Sequence, residues 1–299
     1  MLDQAARLRE IATELQADRN DYLMPDSRKR ARAQVFAVTS GKGGVGKSNI
    51  AVNLSIKMQE AGYKVLLVDA DINLANTDIL MGHSPSRSLA DAIIKDYHIQ
   101  EVIYTGPCDV HILAGGSGFV ELIDLPDAKQ ARIIRQLESL EFKYDFLILD
   151  TPAGLNKQVL DCVRYASHAI VVATPEPTSI ADAYAMVKVL TLQQSSVRLH
   201  VLINKVDSLE HARDIFSKFK LVVDRFLKIR ISFLGFIVED KNVSRAVLKQ
   251  KPLVMEFPRS PAALCISNLA EHIISRGNTK IETQHGSFFQ RLAKISIFH

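Results

Sequence analysis

The 299-residue sequence is poor in cysteine: Cys108, Cys162 and Cys265 are its only three, far apart in the chain. They show no CxxC or Cys/His ligand spacing, which excludes a disulfide framework and a zinc site and fits a reduced, cytosolic protein. No apolar run approaches the roughly 18 residues that a membrane-spanning helix requires. The first ten residues carry Asp3 and Glu10 and lack an apolar core, so no secretory signal is expected. Charge of one sign is also missing. With 37 basic against 33 acidic residues the net charge is +4, too balanced to point to nucleic acid by itself. Repeats, extended low-complexity stretches, metal-ligand histidine spacing and a Ser/His/Asp triad are all absent from the sequence. Hydrophobic residues at 47% and charged residues at 23% exclude wholesale disorder.

What is present is a change of texture along the chain. Residues 2–17 carry Leu2, Ala5, Leu8, Ile11, Ala12 and Leu15 at helical spacing, and Pro25 with Arg28, Lys29, Arg30 and Arg32 then reads as a basic linker. From residue 34 short apolar runs (35–39, 64–69, 110–113, 146–150, 169–173, 199–204 and 233–238) alternate with helical segments (47–60, 127–140, 178–192, 209–227 and 262–274). Near-continuous apolar runs are expected of parallel strands covered on both faces. The alternation predicts an α/β fold, a single doubly wound, mostly parallel sheet, with helical extensions at both ends. The expected divisions are a helix over 1–20, a linker over 21–33, an α/β domain over 34–275, a polar linker over 276–286 and an amphipathic helix over 287–299.

Gly41-Lys42-Gly43-Gly44-Val45-Gly46-Lys47-Ser48 matches GxxxxGK[ST] in full, between a β-run and a helix. Its glycines let backbone N–H groups turn around phosphate oxygens, Lys47 is placed to reach the β- and γ-phosphates, and Ser48 to ligate Mg²⁺. Lys42 is a second lysine that local phosphate binding does not require. The next strand ends in Asp69-Ala70-Asp71, with Asn73, Asn76 and Asp78 following. Carboxylates at the carboxyl ends of parallel strands sit where such sheets bind ligands. A second strand ends in Asp150, the pattern of a residue that holds Mg²⁺ through water, followed by Thr151-Pro152-Ala153-Gly154. Asn204-Lys205-Val206-Asp207 spells NKxD, a guanine-reading pattern in which Asp207 would pair with the base.

The stretch from Lys42 to Ser48, KGGVGKS, resembles the deviant Walker A motif of the MinD/ParA family of ATPases, and the likeness extends over about residues 34–275. The resemblance implies ATP/ADP and Mg²⁺ as ligands and slow, regulatory hydrolysis of ATP to ADP and phosphate. It implies an ATP-sandwich homodimer in which Lys42 acts in trans on the partner's phosphates. It makes Asp71 the switch I residue that positions the attacking water and matches Asn76 to a switch I asparagine. Residues 151–154 become switch II, and Asn204 a contact to adenine, so that ATP is preferred to the guanine alternative.

The two ends separate the branches. Asp3-Gln4-Ala5-Ala6-Arg7-Leu8-Arg9 resembles the DQAxxLR element of the flagellar number regulators of the FlhG (FleN/YlxH) type. There it is a helix that activates the signal-recognition-type GTPase FlhF, which implies partner-activating roles for Asp3, Gln4, Ala5, Leu8 and Arg9. At the other end Phe288, Phe289, Leu292 and Ile295 share one arc of a helical wheel and Gln290, Arg291 and Lys294 the other, the composition of an interfacial membrane helix. The same arc would suit a final helix docked on the domain and released in the dimer. The resemblance implies flagellar switch-complex (C-ring) proteins and a flagellar transcription activator as further partners. It also implies a place on the inner face of the membrane, at a cell pole. ParA-type DNA partition and MinD-type control of cell division are the alternatives, and DNA is not an expected partner.

Overall fold

Valine, isoleucine and leucine crowd the runs that form strands, and in the computed structural model the central runs are buried from both sides. The described residues are 32–71, 76–82, 85–115, 118–122, 125–277 and 287–293. The N-terminal element with Asp3, Gln4, Ala5, Leu8 and Arg9, most of the basic linker, Asn73, Lys294 and Ile295 lie outside them. The compact unit that carries the sheet begins at Ala33.

In chain order the elements are β1 (Gln34–Thr39), α1 (Lys47–Glu60), β2 (Val65–Asp69), α2 (Asn76–Met81), α3 (Leu89–Lys95), β3 (Ile103–Thr105), β4 (His111–Ala114) and α4 (Gly118–Glu121). There follow α5 (Asp127–Leu140), β5 (Phe146–Asp150), α6 (Lys157–Tyr165), β6 (His168–Ala173), α7 (Pro177–Leu192), β7 (Arg198–Val206), α8 (Leu209–Phe226) and β8 (Ile231–Val238). The last helices are α9 (Lys241–Leu248), α10 (Leu253–Glu256), α11 (Pro261–Gly277) and α12 (Phe288–Ala293). The eight strands form one sheet in the order β3-β4-β2-β5-β1-β6-β7-β8. Every pairing is parallel except β3 with β4.

Alternate residues of each strand feed two cores, as a pleated sheet covered on both faces requires. Val35, Ala37, Leu66, Val68, Leu147 and Leu149 belong to the core shared with α5, α6, α7 and α8. Phe36, Val38, Leu67 and Ile148 belong to the core under α1 and α11. At roughly 25 cal/mol per Å² of apolar surface, strands buried on both faces carry much of the stabilisation.

All seven predicted strands are found, with ends matched or moved by at most two residues. The short antiparallel edge strand β3 and several helices of one to three turns were not predicted. Caps define some of these: Ser88 and Asp91 form a capping box on α3, and Asn156 and Asp240 cap α6 and α9. Because β5 lies between β2 and β1, the ends of β1, β5 and β2 stand side by side, and the site is built there.

Candidate nucleotide site

β1 delivers the chain into the glycine loop at its carboxyl end. Gly44 and Gly46 adopt φ of +77° and +97°, values that L side chains rarely take. A Cβ on Gly46 would lie 2.6 Å from Asn204 Nδ2, and one on Gly41 would lie 2.6 Å from Asp182 Cβ. Gly46 is also the N-cap of α1 and carries no capping side chain, so the helix N-terminus stays open to a phosphate.

Lys47, the first residue of α1, is 8% exposed. Burial pushes its ammonium below the ordinary lysine value, while Asp150 and Asp71 pull the other way. Asp150 is 1% exposed at the end of β5. Burial first, then the charge of Asp69, raises its carboxyl to about 7, with the Ser48 hydroxyl and Lys47 opposing. Asp69 stands beside Asp150 in the β2–β5 register. Burial raises it to about 6. Asp69 Oδ1 accepts the Asp71 backbone N–H at 3.0 Å, so Asp69 shapes the loop that carries Asp71. The structure thus brings Lys47, Ser48, Asp71 and Asp150 together.

The donor set fits a magnesium ion. Asp150 Oδ1 and Asp69 Oδ2 are buried without a hydrogen-bond partner, and the Ser48 hydroxyl lies beside Asp150. These are hard oxygen ligands of the kind Mg²⁺ takes alongside water and phosphate. Among the described residues no group of three or more His, Cys, Asp or Glu is arranged to hold a metal by itself. Ser48 with water-linked Asp150 would therefore hold the ion together with a nucleotide.

The next loop is suspended from β1. Thr151 Oγ1 donates to the Val38 carbonyl at 3.0 Å, and the Gly154 N–H donates to the Ser40 carbonyl at 3.0 Å. The predicted switch II segment is thereby fixed beside the phosphate loop. On the other flank Asn204 is 8% exposed, its Nδ2 donating to the Val45 carbonyl at 2.7 Å and its Oδ1 accepting the Lys205 N–H at 2.9 Å. Its amide, expected against a base, is also bonded to the phosphate loop itself. Asp207 is exposed and 3.3 Å from His211 Nδ1.

Lys42 lies at the rim, where Nζ meets Glu176 Oε2 at 2.6 Å and Thr178 Oγ1 at 3.2 Å. The lysine holds the Glu176 carboxyl below its ordinary value. Sequence reasoning missed Glu176 and Thr178. Proline at the first position of α7 marks a helix start, and nothing local says that the turn before it faces residue 42.

The C-terminal helix takes the docked one of the two places that its apolar arc allows. Phe288 and Phe289, read as lipid-facing, are 3% and 1% exposed and join the core over α5 and α6, with Leu292 packed against it. The buried Glu141 carboxylate accepts the Ser287 hydroxyl at 2.5 Å and the Phe289 N–H at 3.2 Å, and Arg291 Nη2 donates to the Tyr165 carbonyl at 2.7 Å. An apolar arc buries itself on whatever apolar surface adjoins it, and here that surface is protein. Among the described residues no helix is long and apolar enough to cross a membrane.

Comparison with known proteins agrees with this geometry. A family model described as an AAA domain matches residues 33–203. The chain is 39% identical over 242 residues to the antiactivator FleN of Pseudomonas aeruginosa, covering 81% of this chain and 86% of that protein. It is 30% identical to the flagellum site-determining protein YlxH of Helicobacter pylori, covering 93% and 98%. Among solved structures, the cell division ATPase MinD of Pyrococcus furiosus superposes with a TM-score of 0.65 at 25% identity, covering 82% of this chain and 99% of that one. MinD of Pyrococcus horikoshii, solved with Mg-ADP, does so with a TM-score of 0.65 at 26% identity, covering 84% and 99%. With a complete phosphate loop, a second lysine at its rim and this sheet, the chain belongs to the MinD/ParA family of P-loop ATPases.

Proposed function

We propose that this ATPase is a dimerising switch that controls flagellar number or placement. The observation that carries the reading is Lys42. It is not needed to bind phosphate in its own loop, and it stands at the rim on an exposed ion pair with Glu176. Exposed pairs are worth at most about 1 kcal/mol, so the ammonium is easily withdrawn toward a stronger anion. The phosphates of a nucleotide held by a second copy are such an anion. The likeness to FleN and YlxH supports the flagellar role.

In this reading the N–H groups of residues 43–47 and the α1 N-terminus bind the phosphates, and Lys47 spans the outer two. Mg²⁺ at Ser48 and Asp150 supplies neutralisation of phosphate charge. Asp71 orients water for in-line attack, a reaction that needs positioning and charge stabilisation above all. Asn204 borders the adenine. The N-terminal element, with Gln4 at its centre, stimulates FlhF. C-ring proteins and a flagellar transcription activator are further partners.

The dimer binds the inner face of the membrane at a pole through two C-terminal helices, each weak alone and stronger as a pair. Because Phe288 and Phe289 are buried in the domain, membrane binding requires that the helix first leave it. Gel filtration with Mg-ATP tests the core of the reading. The wild type elutes as a dimer and Lys42→Ala as a monomer; a Lys42→Ala dimer overturns it. Co-sedimentation with anionic liposomes, with and without ATP, tests the membrane step against a chain cut at Gly286. Equal binding by the two chains rejects that step.

A further inference from the structure

After an earlier shift at Val201/Leu202, β7 and β8 run in register from Leu202 opposite Gly235 to Asn204 opposite Ile237, and Val206 then faces Val238. Lys205 is therefore the extra residue of a β-bulge at the end of β7. Bulges beside active sites re-aim a side chain. The bulge places Lys205 at φ +59°, a left-handed conformation uncommon for a long side chain. In that conformation its Nζ reaches across to the phosphate loop and donates to the Gly44 carbonyl at 3.0 Å. Its neighbour Asn204 holds the next carbonyl, that of Val45, at 2.7 Å.

The two contacts fix two successive peptide planes. In a trans peptide the C=O and the N–H point in opposite directions. Turning the Gly44 carbonyl toward Lys205 aims the Val45 N–H the other way, and turning the Val45 carbonyl toward Asn204 does the same for the Gly46 N–H. These are N–H groups that a phosphate loop must present together. Gly44 has no heavy atom within 4 Å of where a Cβ would sit, so that side of its backbone is open. Asn204 is buried and tied to both Val45 and Lys205, and the Lys205 ammonium holds the Gly44 carbonyl beside them.

We propose that Lys205 is a positioning residue of the nucleotide site, set by the β7 bulge to keep the Gly44–Val45 peptide oriented for phosphate. This rests on the reading of residues 41–48 as the nucleotide loop. The bulge and the left-handed backbone are then part of the ATP site's construction, and the conformational cost at Lys205 is carried for binding.

The test compares wild type, Lys205→Met, Lys205→Arg and Lys205→Gly, each as the full chain. Calorimetry with Mg-ADP gives Kd, steady-state hydrolysis of Mg-ATP gives KM and kcat, and thermal melting without nucleotide gives stability. Losing one charge-assisted hydrogen bond predicts a rise of about tenfold in Kd and KM for Lys205→Met, with kcat changed by less than about twofold. Lys205→Arg, which keeps the donor, restores most of the affinity. Lys205→Gly relieves the left-handed backbone, so it melts at or above the wild-type temperature yet binds as weakly as Lys205→Met. Wild-type Kd and KM in Lys205→Met overturn the proposal, as does an equal loss in Lys205→Arg. A fall in melting temperature that accounts for the lost binding overturns it too. Wild-type protein that binds neither Mg-ADP nor Mg-ATP would instead overturn the nucleotide site itself.

Discussion

Gly46 joins a left-handed backbone to a close neighbour. Alanine there would need φ +97° and would press its Cβ to 2.6 Å from Asn204 Nδ2. Gly46→Ala should cost about 1–3 kcal/mol of stability and remove measurable Mg-ATP binding, read by melting and by calorimetry. Wild-type affinity would show that Asn204 does not abut the loop. Asp150 gives a second expectation, in pH. Its carboxyl titrates at about 7 in the fold against 3.8 when free. Between those values the folded chain keeps a proton that the unfolded chain has released. The stability tied to Asp150 is therefore complete below its free value and is lost as pH rises through about 7. His168, lowered to about 3 chiefly by burial and also by His200 and Arg198, acts in the opposite sense at mildly acid pH. The difference between wild type and Asp150→Asn isolates the aspartate. Without nucleotide, Asp150→Asn should gain more in melting temperature at pH 8 than at pH 5. An equal gain at both would mean that Asp150 is charged throughout.

At the scale of elements, the phosphate loop was legible because its chemistry is local: eight consecutive residues carry glycine, lysine and serine at the needed spacing. The strands were legible because burial on both faces leaves unbroken apolar runs. Which of its two possible partners α12 takes was not. An apolar arc of Phe288, Phe289 and Leu292 is the same pattern whether its partner is lipid or protein, and the discriminating groups, Glu141 and Tyr165, lie more than a hundred residues away. Phe289→Ala tests the docking. A buried phenylalanine is worth about 3–5 kcal/mol, more than a six-residue helix with few polar ties is expected to keep in reserve. Amide exchange over 288–293 should accelerate to nearly unprotected rates while β1, β5 and β6 keep their protection. Unchanged exchange at 288–293 would show that the helix is held by its polar contacts alone.

For the whole molecule, strand–helix alternation was enough to predict one doubly wound sheet, since parallel strands demand crossovers and the crossovers cover both faces. It could not supply the position of β5 between β2 and β1, which sets the acidic ends of β2 and β5 beside the phosphate loop that follows β1. Nor could it show what Glu141 does. Its carbonyl accepts the Ala33 N–H at 2.6 Å, and its carboxylate accepts Ser287 and Phe289. The point where the chain enters the sheet-bearing unit and the point where its last described helix docks are thus the same residue. That residue lies beside the start of β1, and the phosphate loop follows its end. At about 3.3 Å per residue, β1 is a rod of about 20 Å. One strand length therefore separates the phosphate loop from both tethers.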